Sequence, residues 1–122
     1  MSEDSELTKV LVVDDDTAVR ETLKDVFKKK GFFVATAGTG AEALEQIKKT
    51  PFHFAVIDIR LPDMSGNDLL KEIHKTNFKI NCIMITGYSE ELAQTNLQGD
   101  EATARFMKPL KLDELIAIFE KK

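Results

Sequence analysis

The sequence predicts a single α/β domain built on a doubly wound parallel sheet. Three observations carry that prediction. Short runs of branched apolar residues alternate with segments whose apolar residues recur at helical spacing. The runs are apolar throughout, not at every second residue, which fits strands covered on both faces. The chain has 122 residues, the length of one domain, and five strand–helix pairs fit within it.

Residues 1–8 carry Glu3, Asp4 and Glu6 without an apolar run and read as a disordered acidic arm, leaving 9–122 for the folded domain. Val10-Leu11-Val12-Val13 is the first strand. Val19, Leu23, Val26 and Phe27 follow i, i+4, i+7, i+8, the face of a helix, and Gly31 stands where such a helix stops. Asp16 or Thr17 is its cap. Lys28-Lys29-Lys30 falls at its C-terminal end, where the helix dipole favours cations, and implies no nucleic acid. The second strand is Phe32 to Ala35. Thr39-Gly40-Ala41-Glu42 has capping-box spacing and opens a helix through Ala43, Leu44 and Ile47.

Phe54 to Ile57 is the third strand. Ser65-Gly66-Asn67-Asp68 is a further helix start, ahead of Leu69, Leu70 and Ile73. Cys82 to Ile85 is the fourth strand. The helix expected over 89–98 has a thin apolar stripe, with Leu92 and Leu97 among Gln94, Thr95, Asn96 and Gln98. The fifth strand, Ala104 to Met107, is interrupted by Arg105, and Leu112, Leu115, Ile116 and Phe119 mark the last helix. Right-handed crossovers put helices on both faces of the sheet.

Charge and cysteine content narrow the function. The net charge is −4, which offers no basic footprint for nucleic acid and no attraction to an anionic membrane. Cys82 is the only cysteine, so no intramolecular disulfide forms. It reads as a small core residue in a reducing compartment. No apolar run approaches a membrane span or follows a basic start, so a cytoplasmic protein is expected. His53 and His74 have no partners at metal-ligand spacing and read as packing or surface residues.

In doubly wound sheets the functional site lies outside the carboxyl ends of the strands. Asp14, Asp15 and Asp16 follow the first strand here, and Asp58 follows the third. Thr86, then Gly87, follows the fourth, and Lys108-Pro109 follows the fifth. If the first and third strands are neighbours, Asp14, Asp15 and Asp58 converge, flanked by Thr86 and Lys108. Gathered carboxylates repel one another unless a cation joins them. Mg2+ suits such a set, taking one or two carboxylates and keeping positions for water or phosphate oxygens. One Asp can then attack phosphorus, while a metal, a lysine and a hydroxyl neutralise the phosphoryl oxygens.

Leu11-Val12-Val13-Asp14-Asp15-Asp16, Ile57-Asp58, Leu61-Pro62-Asp63-Met64-Ser65-Gly66, Ile85-Thr86-Gly87 and Lys108-Pro109 stand in one order and spacing. In these motifs the sequence resembles the receiver domain of two-component response regulators, over about residues 9–120. The resemblance implies a five-stranded flavodoxin-like (βα)5 sheet of order 2-1-3-4-5. It implies that Asp58 is the phosphoacceptor, and that Asp14, Asp15, Asp58 and the main-chain carbonyl of Arg60 hold Mg2+. By the same resemblance Thr86 and Lys108 bind the phosphoryl group, and the Lys108–Pro109 peptide is cis. The donor it implies is a phosphohistidine on a sensor histidine kinase or a histidine phosphotransfer protein. The output is binding of a downstream protein, with a phosphorylation-dependent homodimer as one form.

Three positions depart from that family's pattern. Arg105 replaces the usual switch aromatic, and Phe106 comes one place later. Glu101-Ala102 replaces the usual Gly-Ala, and the 89–98 helix is polar. Arg60 and Tyr88 occupy the two positions that set phosphoryl lifetime in the family, and their bulk predicts slow autodephosphorylation. Two further readings remain at this point. One is a receiver-like interaction module that is never phosphorylated. The other is a phosphatase of the haloacid-dehalogenase type, suggested by the Asp14-x-Asp16 pair. A flavin binder of the same fold needs a phosphate loop after strand one, where three aspartates stand instead.

Overall fold

The computed structural model describes residues 7–76, 79–86, 104–107 and 112–121. The strands are β1 (Lys9–Val13), β2 (Phe33–Ala37), β3 (Phe54–Asp58), β4 (Asn81–Thr86) and β5 (Ala104–Met107). The helices are α1 (Thr17–Lys29), α2 (Gly40–Lys49), α3 (Gly66–Thr76) and α4 (Leu112–Lys121). All strand pairs are parallel, and their order is β2-β1-β3-β4-β5. The parallel α/β architecture is therefore the one the apolar runs predict. The helix expected over 89–98 and the Glu101-Ala102 turn lie outside the described residues. No described helix is long and apolar enough to cross a membrane.

Alternation along each central strand divides the core into two layers, because successive side chains point to opposite faces. Leu11, Val13, Ala55, Ile57, Cys82 and Met84 lie on one side with Ala43 of α2 and Leu69 and Ile73 of α3. Val10, Val12, Phe54, Val56, Ile83 and Ile85 lie on the other with Leu23 and Phe27 of α1 and Leu115 of α4. Strands covered twice need apolar residues at both parities, hence the unbroken runs. Each large apolar side chain so buried stabilises the fold by roughly 1.5–3 kcal/mol.

β2 departs from expectation. It runs from Phe33 to Ala37, later than the Phe32–Ala35 run, and it is the sheet edge. Coverage there is partial, and Phe33 is 43 % exposed. Phe32 is taken by the end of α1 instead. Gly31 donates to the Lys28 carbonyl and Phe32 to the Phe27 carbonyl, at 3.0 and 3.1 Å. That is a Schellman termination, and the Phe27 and Phe32 rings meet across it at 6.2 Å. The ladder also reaches back into the expected arm, since the Thr8 carbonyl accepts from Phe33 N–H at 2.9 Å.

Both histidines serve packing. His53 Nδ1 accepts from Lys9 N–H at 2.9 Å, joining the amino ends of β1 and β3. His74 is buried, its Nε2 3.8 Å from the buried Cys82 sulfur.

Two glycines are fixed for different reasons, and alanine at each separates them. Gly31 has φ +91°, with nothing within 4 Å of an added Cβ, so Gly31→Ala costs only backbone strain, about 1 kcal/mol. At Gly66 a Cβ would stand 2.5 Å from the Asp58 carbonyl oxygen and 2.7 Å from Ile59 Cα. Backbone cannot swing aside, so Gly66→Ala is expected to cost more, in the range of about 1–3 kcal/mol for overpacking. Urea unfolding of both variants checks the order. A Gly66→Ala midpoint above that of Gly31→Ala would contradict it.

Candidate functional site

The carboxyl ends of β1 and β3 bring three acids together. Val13 pairs with Ile57 in register, so the next residues, Asp14 and Asp58, leave adjacent strands at the same level. One carboxylate oxygen from each of Asp14, Asp15 and Asp58 lies within 4.8 Å of the others. Asp14 is fully buried, Asp58 is 7 % exposed, and Asp15 faces solvent. An acid at the end of a buried strand needs compensation. Asp14 Oδ1 accepts from Asp16 N–H at 2.9 Å, and Asp58 Oδ1 accepts from Arg60 N–H at 3.0 Å. Both are turns in which the side chain holds the main chain two residues on.

Asp16 is not part of the cluster. Its Oδ1 accepts from Ala18 N–H at 2.9 Å and Val19 N–H at 3.4 Å, capping α1. Arg60 follows at the start of the β3–α3 loop, where it forms a bridge with Ser65. Ser65 Oγ then accepts from Asp68 N–H at 3.0 Å and caps α3. Thr86 ends β4 as expected, paired in the ladder with Met107. The main-chain bond from Ile59 N–H to the Ile85 carbonyl, 2.8 Å long, carries the β3–β4 ladder past Asp58. Arg105 stands opposite Met84 in β5. Lys108, Pro109 and Tyr88 lie outside the described residues.

The donor set suits a hard divalent cation. Three carboxylates supply only oxygen, from the carboxyl end of the sheet, with one member open to solvent. Two are buried, where their mutual repulsion is least screened and a cation stabilises most. Asp14, Asp15 and Asp58 therefore fit Mg2+.

Residues 10–120 match the sequence pattern of the response regulator receiver domain. The chain belongs to that family. This receiver is 32 % identical over 108 residues to sporulation initiation phosphotransferase F of Bacillus subtilis, covering 88 % of this chain and 86 % of that protein. It is 35 % identical over 112 residues to the transcriptional regulatory protein ZraR of Escherichia coli, covering 92 % of this chain but 25 % of ZraR. Among solved structures it is similar to the response regulator TrrA of Thermotoga maritima in complex with Mg2+-BeF. That match has a TM-score of 0.84 and 30 % identity, covering 94 % of this chain and 98 % of the other. Receiver domains of two-component systems are signalling modules phosphorylated on aspartate, not enzymes in the ordinary sense.

One residue at the site escaped the sequence reading as a functional part. Asp63, in the β3–α3 loop, reaches across to the start of α2. Its two carboxylate oxygens accept from Gly40 N–H at 2.8 Å and Ala41 N–H at 3.0 Å. These main-chain donors at a helix N-terminus hold its carboxyl below the ordinary value of 3.8. A lowered folded-state value means the tie stabilises above the unfolded value and is lost as pH falls through the folded one. Wild type is thus expected to be more stable than Asp63→Ala at pH 7, with the gap closing below pH 3.8. Urea midpoints from pH 7 to 2.5 measure it; a gap that stays constant would show that the carboxylate charge is not what Asp63 contributes.

Proposed function

We propose that this receiver takes a phosphoryl group onto Asp58 in a Mg2+-dependent reaction and thereby switches binding to a downstream protein. The observation that supports it most is the gathering of the Asp14, Asp15 and Asp58 oxygens within 4.8 Å at adjacent strand ends. Asp14, Asp15, Asp58 and the Arg60 carbonyl are the proposed ligands. Bound there, Mg2+ would neutralise the carboxylates and offset charge on the phosphoryl oxygens. Asp58 is the proposed acceptor: it ends β3 beside Asp14, and its Oδ1 accepts from Arg60 N–H.

The donor class is a phosphohistidine on a sensor histidine kinase or phosphotransfer protein. An Asp58 oxygen forms the new P–O bond as the P–N bond breaks, and the imidazole nitrogen keeps the electron pair and takes a proton. Thr86 and Lys108 are the proposed partners of the transferred group, the hydroxyl donating and the ammonium pairing with its charge. On this reading the chain catalyses only its own phosphorylation and dephosphorylation, in the cytoplasm. The receiver occupies 9–122 with 1–8 as an arm. A phosphorylation-dependent homodimer is one form the switched state takes. The relatives' names, a phosphotransferase and a transcriptional regulator, are consistent with a relay. The chain spans a quarter of ZraR, so output and partners belong to the proposal.

Arg105 at the switch position favours one rival, an interaction module that is never phosphorylated. Intact mass after incubation with acetyl phosphate separates the two. Wild type is expected to gain one phosphoryl group with Mg2+ and none with EDTA, and Asp58→Asn none in either. A gain retained by Asp58→Asn would move the acceptor elsewhere. No gain in wild type, even with beryllofluoride failing to bind, would favour the unphosphorylated module.

A further inference from the structure

Arg20 lies outside the acidic cluster, yet its guanidinium is fixed on the loop that carries it. It stands in the first turns of α1, half-buried. Nη1 donates to the Asp14 main-chain carbonyl at 2.6 Å, and Nη2 donates to Thr17 Oγ1 at 3.1 Å. The two donors therefore straddle Asp15 and Asp16 and staple the turn from both sides. A lysine's single ammonium lacks that fork. The β2–α2 loop leaves room for it. A Cβ at Gly38 would stand 3.0 Å from Nη1. Gly38 is itself held, its N–H donating to Glu42 Oε1 at 2.7 Å.

The staple completes the restraint on Asp14. Its N–H donates to the Ala37 carbonyl at 3.1 Å, its Oδ1 accepts from Asp16 N–H, and its carbonyl accepts from Arg20. We propose that Arg20 is a positioning residue for the divalent-cation pocket, fixing the Asp14–Asp16 turn from which the Asp14 and Asp15 carboxylates project. This rests on reading those carboxylates, with Asp58, as the cation site.

Charge and position pull in opposite directions, so the sign of the effect is diagnostic. As a cation near three carboxylates, Arg20 disfavours a second cation, and removing it by charge alone strengthens Mg2+ binding. As a clamp it preorganises the ligands, and removing it weakens binding. Two readouts decide between them in the full chain: Mg2+ affinity by calorimetry, and amide exchange of Asp16 by NMR without metal. Arg20→Ala is expected to weaken Mg2+ binding about tenfold and to speed Asp16 exchange by a similar factor, the scale of one charge-assisted hydrogen bond. Arg20→Lys is expected to restore part of both. Thermal unfolding confirms that each variant is folded. Mg2+ affinity that is unchanged or tighter in Arg20→Ala, with Asp16 exchange unchanged, overturns the proposal. If wild type binds no Mg2+, the cation-site reading falls, and exchange at Asp16 still decides whether Arg20 holds the turn.

Discussion

Two acids leave the sheet side by side because β1 and β3 are parallel neighbours paired in register. Val13 opposite Ile57 puts Asp14 beside Asp58 whatever the loops do. Both carboxylates are buried, so the arrangement opposes folding unless local donors and a cation offset it. Main-chain N–H groups two residues on supply the first part, Asp16 for Asp14 and Arg60 for Asp58. Such turns need short, tightly held loops. After the β3–α3 loop, α3 starts so close to β3 that a Cβ at 66 would meet the Asp58 carbonyl.

The loops around the acids are joined by side chains bonding to main chain. Arg20 holds the Asp14 carbonyl, Glu42 holds Gly38, and Asp63 holds Gly40 and Ala41. These bonds also occupy main-chain donors that an anion could otherwise use. A helix N-terminus is a ready anion site, but the first donors of α2 are taken by Asp63. Those two N–H groups are therefore already engaged by a carboxylate of the same chain.

The sequence shows most clearly what depends on local pattern. Runs apolar at both parities mark strands with two covered faces, and Gly31, Asp16, Thr39 and Ser65 mark helix ends that the structure confirms by their bonds. The capping box at Thr39 is half realised: Thr39 caps Glu42, but Glu42 turns to Gly38. What stays hidden joins residues distant in sequence through a chosen rotamer. Asp63 to Gly40 spans 23 positions and Lys9 to His53 spans 44, and no periodicity records either. The β2 boundary was also illegible, because Phe32 and Phe33 look alike in composition. Only the end of α1 decides which of them packs on Phe27.

Arg105 stands on β5, two strands from Asp58 in the sheet order. The acids, their donor turns and the stapling side chains all belong to the β1, β2 and β3 ends. From Asp58 the connection to β4 is main chain: Ile59 N–H bonds the Ile85 carbonyl, one residue before Thr86. Beyond it, Thr86 pairs with Met107, and Arg105 meets Met84 two positions earlier. The main-chain path from Asp58 to Thr86 therefore does not include residue 105.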